Sequence, residues 1–356
     1  MKAFLRLCLL IYLAATPALL PAQKVPPQPL YTVDLSKLIS QELDINPAGT
    51  LAFLTEHTLA VSICRNLRCN LEMLDFGGAK PRVIARTDQD QHYSALFRAP
   101  GGRVILDYGP TGAKQDAVLL DSQLCSPLLV PKAAGIRQSQ LSTTGETFVK
   151  QDGNEWIAYK LGQPPQRIRA GTGRVLSVSD EAVAYVNDGT VHIEGMEGKA
   201  LGSFAVTPRA LPTVRFLGQD HLWSEDGSQV EILDFNGKPI RTLDRPDGWG
   251  FRIGQSSDGS RILYDRYTRH IPLARKVEEQ AIGTATGVWV DEKPNGEMVL
   301  VIDTRSGKHC FEWNSSTNLL VAGQFHADID PSGRLIAIMT PTTLNIYKLP
   351  EGCVAK

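Results

Sequence analysis

Two short patterns alternate along this chain, seven copies of each, and together they restrict the folds open to it. The first is a tight turn opening into an apolar strand. It appears as INPAGTLAFL (45–54), APGGRVILDY (99–108), STTGETFV (142–149), SSDGSRILYD (256–265) and DPSGRLIAIM (330–339), with weaker copies VSDEAVAYV (178–186) and LGQDHLWS (217–224). Glycine suits such turns because it accepts positive φ without a Cβ clash. The second is an apolar strand running into a turn: LEMLDFGG (71–78), AVLLDSQL (117–124), IAYKLGQ (157–163), VHIEGMEGK (191–199), VEILDFNGK (230–238), VLVIDTRSGK (299–308) and LNIYKLPEG (344–352). Asp or Gly at a strand end fits a hairpin turn.

The mature chain shows no long helical periodicity, and its apolar runs are short and punctuated by Gly, Pro, Asp, Asn and Ser, the signature of many short strands. One copy of each pattern per unit matches a four-stranded propeller blade: the turn from strand A into strand B, then strand C and its turn into strand D. The expected architecture is an all-β, seven-bladed β-propeller. After Lys348 only eight residues remain, too few for a turn and an outer strand, while an unassigned strand, PLYTVDL (29–35), precedes the first unit. That N-terminal strand is expected to complete the last blade, which closes the ring and covers an otherwise unpaired edge.

SSDG (256–259) and DPSG (330–333), each followed by an apolar strand, resemble the degenerate blade repeats of TolB-type and tryptophan–aspartate-like β-propellers of bacterial secreted proteins. The tryptophan–aspartate dipeptide and any Gly-His start are absent. The resemblance implies a propeller and a general binding role rather than a particular partner.

Residues 1–22 read as a signal peptide: Lys2 and Arg6, an apolar run from Leu7 to Leu13, then cleavage after Ala22. Pro17 and Pro21 interrupt the apolar stretch and leave it short for a bilayer span of roughly 20 residues. The mature chain, 23–356, reads as one domain with no later spanning segment, and the expected location is secreted or periplasmic. Lys plus Arg (37) nearly cancels Asp plus Glu (38), which argues against a nucleic-acid partner. Cys64 and Cys69 flank four residues between the strand-like runs AVSIC and CNLEML. With no second Cys/His pair nearby to complete a zinc site, they read as a disulfide across a hairpin.

Chemistry-bearing motifs are scarce. The chain has no Gly-x-Ser-x-Gly elbow and no phosphate-binding glycine loop, and its seven histidines (57, 92, 192, 221, 270, 309 and 326) are isolated. Ser224–Gly227 resembles a sialidase Asp-box start and DTRSGKHCFEW (303–313) a quinone-dehydrogenase blade signature. Both read as C–D turns, and Asp328-Ile329-Asp330 as a solvated turn rather than a calcium loop. No catalytic residue, metal or cofactor is expected. The reading is a non-catalytic extracytoplasmic binding protein whose partner is an unidentified protein or small ligand of the cell envelope. The alternatives are a propeller hydrolase or lyase with residues gathered at the central channel, and a structural component of an envelope assembly.

Unit six breaks the regularity. From Gly259 to Asp303 is 44 residues, against 15 for the equivalent interval from Gly333 to Lys348. The excess, an insertion near 268–297, belongs to a B–C connection, and the D–A connection carrying Trp249 enters the same blade on the same face. The binding candidates are Trp249, Arg266, Arg269, His270, Arg275 and Lys276. Arg offers a planar fork to carboxylate or phosphate, and exposed Trp and Arg often dominate binding energy.

Overall fold

The computed structural model describes residues 27–35, 48–65, 68–78, 80–89, 93–108, 116–124, 128–129, 138–160, 163–168, 173–206, 213–225, 230–243, 249–267, 297–314, 326–340 and 343–352. These form seven antiparallel sheets. Blade one is β2–β5 (Ala48–Phe53, Thr58–Arg65, Arg68–Asp75, Arg82–Gln89), and blade two is β6–β9 (Tyr93–Ala99, Arg103–Tyr108, Asp116–Leu120, Leu128–Leu129). Blade three is β10–β12 (Thr147–Asp152, Glu155–Lys160, Gln166–Ile168). Blade four is β13–β16 (Arg174–Val178, Ala182–Asn187, Thr190–Gly195, Ala200–Ala205) and blade five β17–β20 (Thr213–Leu217, His221–Glu225, Val230–Leu233, Pro239–Leu243). Blade six is β21–β24 (Trp249–Gln255, Arg261–Tyr267, Glu297–Asp303, His309–Asn314). Blade seven joins β25–β27 (His326–Ile329, Leu335–Met339, Thr343–Lys348) to the N-terminal strand β1 (Tyr31–Asp34), in the order β1-β27-β26-β25.

Seven apolar layers alternate with the seven blades, one at each blade–blade interface. The sixth shows how a strand feeds two layers at once. In β22, Ile262 and Tyr264 pack with Leu217 and Trp223 of blade five, whereas Leu263 packs with Ile329 and Ile336 of blade seven. Successive side chains of a strand point to opposite faces, and in a propeller both faces of the middle strands are covered. Strand B is therefore a continuous apolar run, as in AVAYV of β14, buried throughout. The outer strand has less to cover, and PIRTL of β20 is exposed except for Leu243.

The layer between blades seven and one closes the circle. It joins Ala337, Met339, Leu344 and Ile346 to Leu51, Phe53, Leu59 and Val61, with Leu35 packed among them. β1 pairs with β27 from Tyr31↔Ile346 to Asp34↔Thr343 and supplies the outer strand that the C-terminal unit lacks.

Two sequence expectations are corrected. INPAGTLAFL (45–54) is not an A–B turn and strand B. Its apolar residues form β2, the innermost strand of blade one, and the A–B turn comes after it at Leu54–His57, where Leu54 N–H donates to Thr58 O at 2.8 Å. Ser224 and Glu225 are the last two residues of β18, strand B of blade five, and β19 begins at Val230, so the motif starts within strand B and is not a C–D turn. DTRSGKHCFEW is a C–D turn, between β23 and β24.

Blade three departs from its neighbours. Among the described residues, a 3₁₀ turn, Gln138–Gln140, and a single bridge between Leu141 and Phe148 precede its A–B turn. This brings the turn at Ser142–Glu146 to the centre of the ring.

Candidate functional site

The A–B turns of blades three, six and seven share one device. In blade seven the fully buried Asp330 folds its carboxylate under the turn. Oδ1 accepts from the N–H of Arg334 (2.7 Å) and of Leu335 (2.6 Å), and Oδ2 accepts from Ser332 N–H (3.1 Å). Serine performs the shorter version elsewhere: Ser256 Oγ accepts from Arg261 N–H, and Ser142 Oγ from Thr147 N–H, each at 3.1 Å. A side-chain oxygen that mimics a backbone acceptor fixes a turn at little entropic cost. The solvated-turn reading of Asp328-Ile329-Asp330 is overturned: Asp330 has no solvent exposure, and Asp328 Oδ2 accepts from Phe53 N–H in blade one at 2.7 Å.

The same end of the ring is tied together by side chains that reach between blades. Arg98 of blade two donates through Nε to Phe53 O of blade one (2.5 Å) and through Nη2 to Ile329 O of blade seven (3.1 Å), with Nη2 3.9 Å from Asp328 Oδ2. Burial pushes the Asp328 carboxyl above its usual range, outweighing the attraction of Arg98, and it pulls the Arg98 guanidinium down from its ordinary value. Asp180 of blade four accepts from Thr144 Oγ1 in blade three (2.6 Å) and from Gln219 Nε2 in blade five (3.0 Å). Gln255, at the end of β21, donates through Nε2 to Phe216 O in blade five (2.8 Å) and to Thr143 Oγ1 in blade three (3.0 Å). Blades three and six stand nearly opposite in a ring of seven, so this last bond crosses the centre. The A–B end of the ring is thereby bridged by protein side chains.

The D–A and B–C connections emerge at the other end. In blade six, Trp249 opens β21 opposite Tyr267, and Arg266 stands opposite Gly250. These two candidates therefore sit on neighbouring strands at the edge from which the connection 268–296 departs. Arg269, His270, Arg275 and Lys276 lie outside the described residues. In blade one, Cys64 and Cys69 are directly opposed in the β3–β4 ladder. Phe76 N–H donates to His57 O, which makes His57 and Phe76 a hydrogen-bonded pair. Alternation along the register then makes Cys64–Cys69 a non-hydrogen-bonded pair, where Cα atoms approach to about 4.5 Å.

Sequence reasoning missed Arg98, Asp180 and Gln255. Each acts on residues far away in the chain, and no local motif marks them. Asp328 stands in an acidic pair that reads as solvated, and only the ring reveals that it is half-buried against blades one and two. Among the described residues, no group of three or more His, Cys, Asp and Glu side chains is arranged to hold a metal ion, and His326 is buried in β25.

No family model and no curated protein matches the sequence. Similarity lies in the fold. A crystal structure of Raptor from Chaetomium thermophilum superposes with a TM-score of 0.54 at 11% identity, covering 92% of this chain and 29% of that one. The present chain thus spans under a third of Raptor's length. A chain in the crystal structure of the mitotic checkpoint complex superposes with a TM-score of 0.50 at 12% identity, covering 96% of this chain and 98% of that one. At these identities the likeness is one of fold alone.

Proposed function

We propose that the chain is an exported β-propeller that binds an envelope protein or small ligand, without chemistry of its own, through the face carrying the D–A and B–C connections of blade six. The observation that carries this reading is the asymmetry between the two ends. The A–B end is spent on internal contacts between Arg98, Asp180, Gln255 and Asp328. The opposite end of blade six brings Trp249 and Arg266 onto adjacent strands beside the longest connection. Arg and Trp side chains there suit a partner bearing carboxylate or phosphate groups, held against an aromatic surface. One of the similar folds belongs to a multiprotein complex, a setting in which a propeller serves as a docking body.

Export is part of the proposal. It rests on the basic and apolar N-terminal segment and on the resemblance to TolB-type propellers, and it agrees with the disulfide-bonded state of Cys310, which an oxidising compartment permits. The same setting would join Cys64 to Cys69, and recovery of both as free thiols in a non-reducing peptide map would exclude that bond.

The test is to replace residues 269–285 by a short Gly/Ser link and compare the variant with wild type in pull-downs from envelope extracts. The reading expects a variant with wild-type melting behaviour to lose the partner that wild type recovers. A folded variant that keeps every partner would remove the proposed face.

A further inference from the structure

Beyond β27 the chain turns back over blade six. Leu349 is buried, and its N–H donates to Arg334 O at 2.7 Å. Arg261, itself buried at the start of β22, holds the next two residues of the tail. Its Nη2 donates to Pro350 O (3.2 Å) and Glu351 O (3.3 Å). Its Nη1 lies 3.2 Å from Asp303 Oδ2 and donates to Cys310 Sγ. One guanidinium therefore touches both the Cys310 sulfur and the two carbonyls of the tail.

Cys310 is disulfide-bonded. The bond needs a second cysteine whose Cα lies within about 7 Å. Cys64 and Cys69 sit on blade one at its B–C end, whereas Cys310 sits on blade six beside the C–D turn. In the sequence Cys125 falls between β8 and β9 of blade two, one residue after Leu124, and Cys8 falls in the N-terminal apolar run. Cys353 lies two residues beyond Glu351, a step that an extended chain covers in at most about 7 Å. We propose that Cys353 is the partner, and that a Cys310–Cys353 disulfide staples the chain end to blade six.

The staple encloses β25, β26 and β27. Blade seven is then held on one side by β1 and on the other by a covalent link to its neighbour. Closing it removes two protons and two electrons from the two thiols. Thiol–disulfide exchange passes them to an external disulfide donor, which leaves as a dithiol. The interface between blades six and seven is thus redox-sensitive.

A non-reducing tryptic map of the exported full chain decides the pairing. The proposal expects fragment 309–334 linked to fragment 349–356. Recovery of Cys310 as a free alkylated thiol, or linked to any other cysteine, overturns it. A second readout uses a C64S/C69S background, so that the hairpin pair contributes nothing. Reductant should lower the melting temperature by roughly 5 °C. Adding Cys353→Ser should lower it by the same amount and abolish the response to reductant. A variant that still responds to reductant would contradict the staple.

Discussion

Deleting residues 24–36 is expected to leave a chain that no longer stays folded and soluble. The segment does more than fill an edge. Leu30 N–H donates to Ile346 O at 2.7 Å, and Thr32 Oγ1 to Asn345 Oδ1 at 2.8 Å. Tyr31 stacks on Phe76 with ring centroids 5.8 Å apart and donates its hydroxyl to Gly78 O at 3.1 Å. Leu35, 2% exposed, seals the layer between blades seven and one. Losing one buried Leu and part of a Tyr, with four rungs of ladder, removes stability on the order of 5 kcal/mol, comparable to the whole margin of a typical domain. It also bares the apolar edge strand β27, a template for aggregation. Sedimentation and thermal melting of the truncated chain provide the check. A truncated chain as soluble and as heat-stable as one that keeps residues 24–36 would show that β1 does not close the ring.

The second large effect is expected at Gly145. Its φ is +74°, in the left-handed region, and a Cβ there would fall 1.6 Å from Arg98 O and 2.6 Å from Arg98 C. The obstacle is backbone of the neighbouring blade, which cannot rotate aside. Gly145→Ala should therefore combine a left-handed strain of about 1–2 kcal/mol with an overpacking cost of about 1–3 kcal/mol. Gly153 is the internal control, because its φ is +63° but no atom lies within 4 Å of the added Cβ. Gly153→Ala should show the strain alone, about 1 kcal/mol. Chemical denaturation of the two variants separates the terms, and equal losses would show that blade two does not press on the blade-three turn.

The features legible in the sequence and those hidden from it divide along physical lines. Strands B and C are visible because they are covered on both faces, so runs such as AVAYV and VLVI are apolar throughout. Strand D is hidden because its exposed face tolerates any side chain. RVIARTDQ of β5 has no pattern that marks it as a strand. The misplacement of INPAGTLAFL has a related cause: Gly49 lies inside β2, where it imitates a turn residue. The count of seven is unaffected, because each blade contributes one B–C pair whichever strand begins the unit.

The inner network is beyond reach for a different reason. Arg98 and Asp328 are separated by most of the chain and meet only because the ring brings blade two within a side chain's length of blade seven. Gln255 and Thr143 meet across the centre only because the ring sets blades three and six nearly opposite each other. Neither juxtaposition has a spacing that a sequence pattern could carry. The candidate face lies within reach because it rests on a length excess, and length is visible without a structure.

The central claim is that one face of the ring meets the partner and the other does not. A photoreactive amino acid placed at Trp249, and separately at the exposed Asn236 in the C–D turn of blade five, tests it most directly. Irradiation of cells producing each variant should give a covalent adduct of higher mass from position 249 and none from position 236. Adducts from position 236 with none from position 249 would place the partner on the bridged end of the ring and contradict the proposed function.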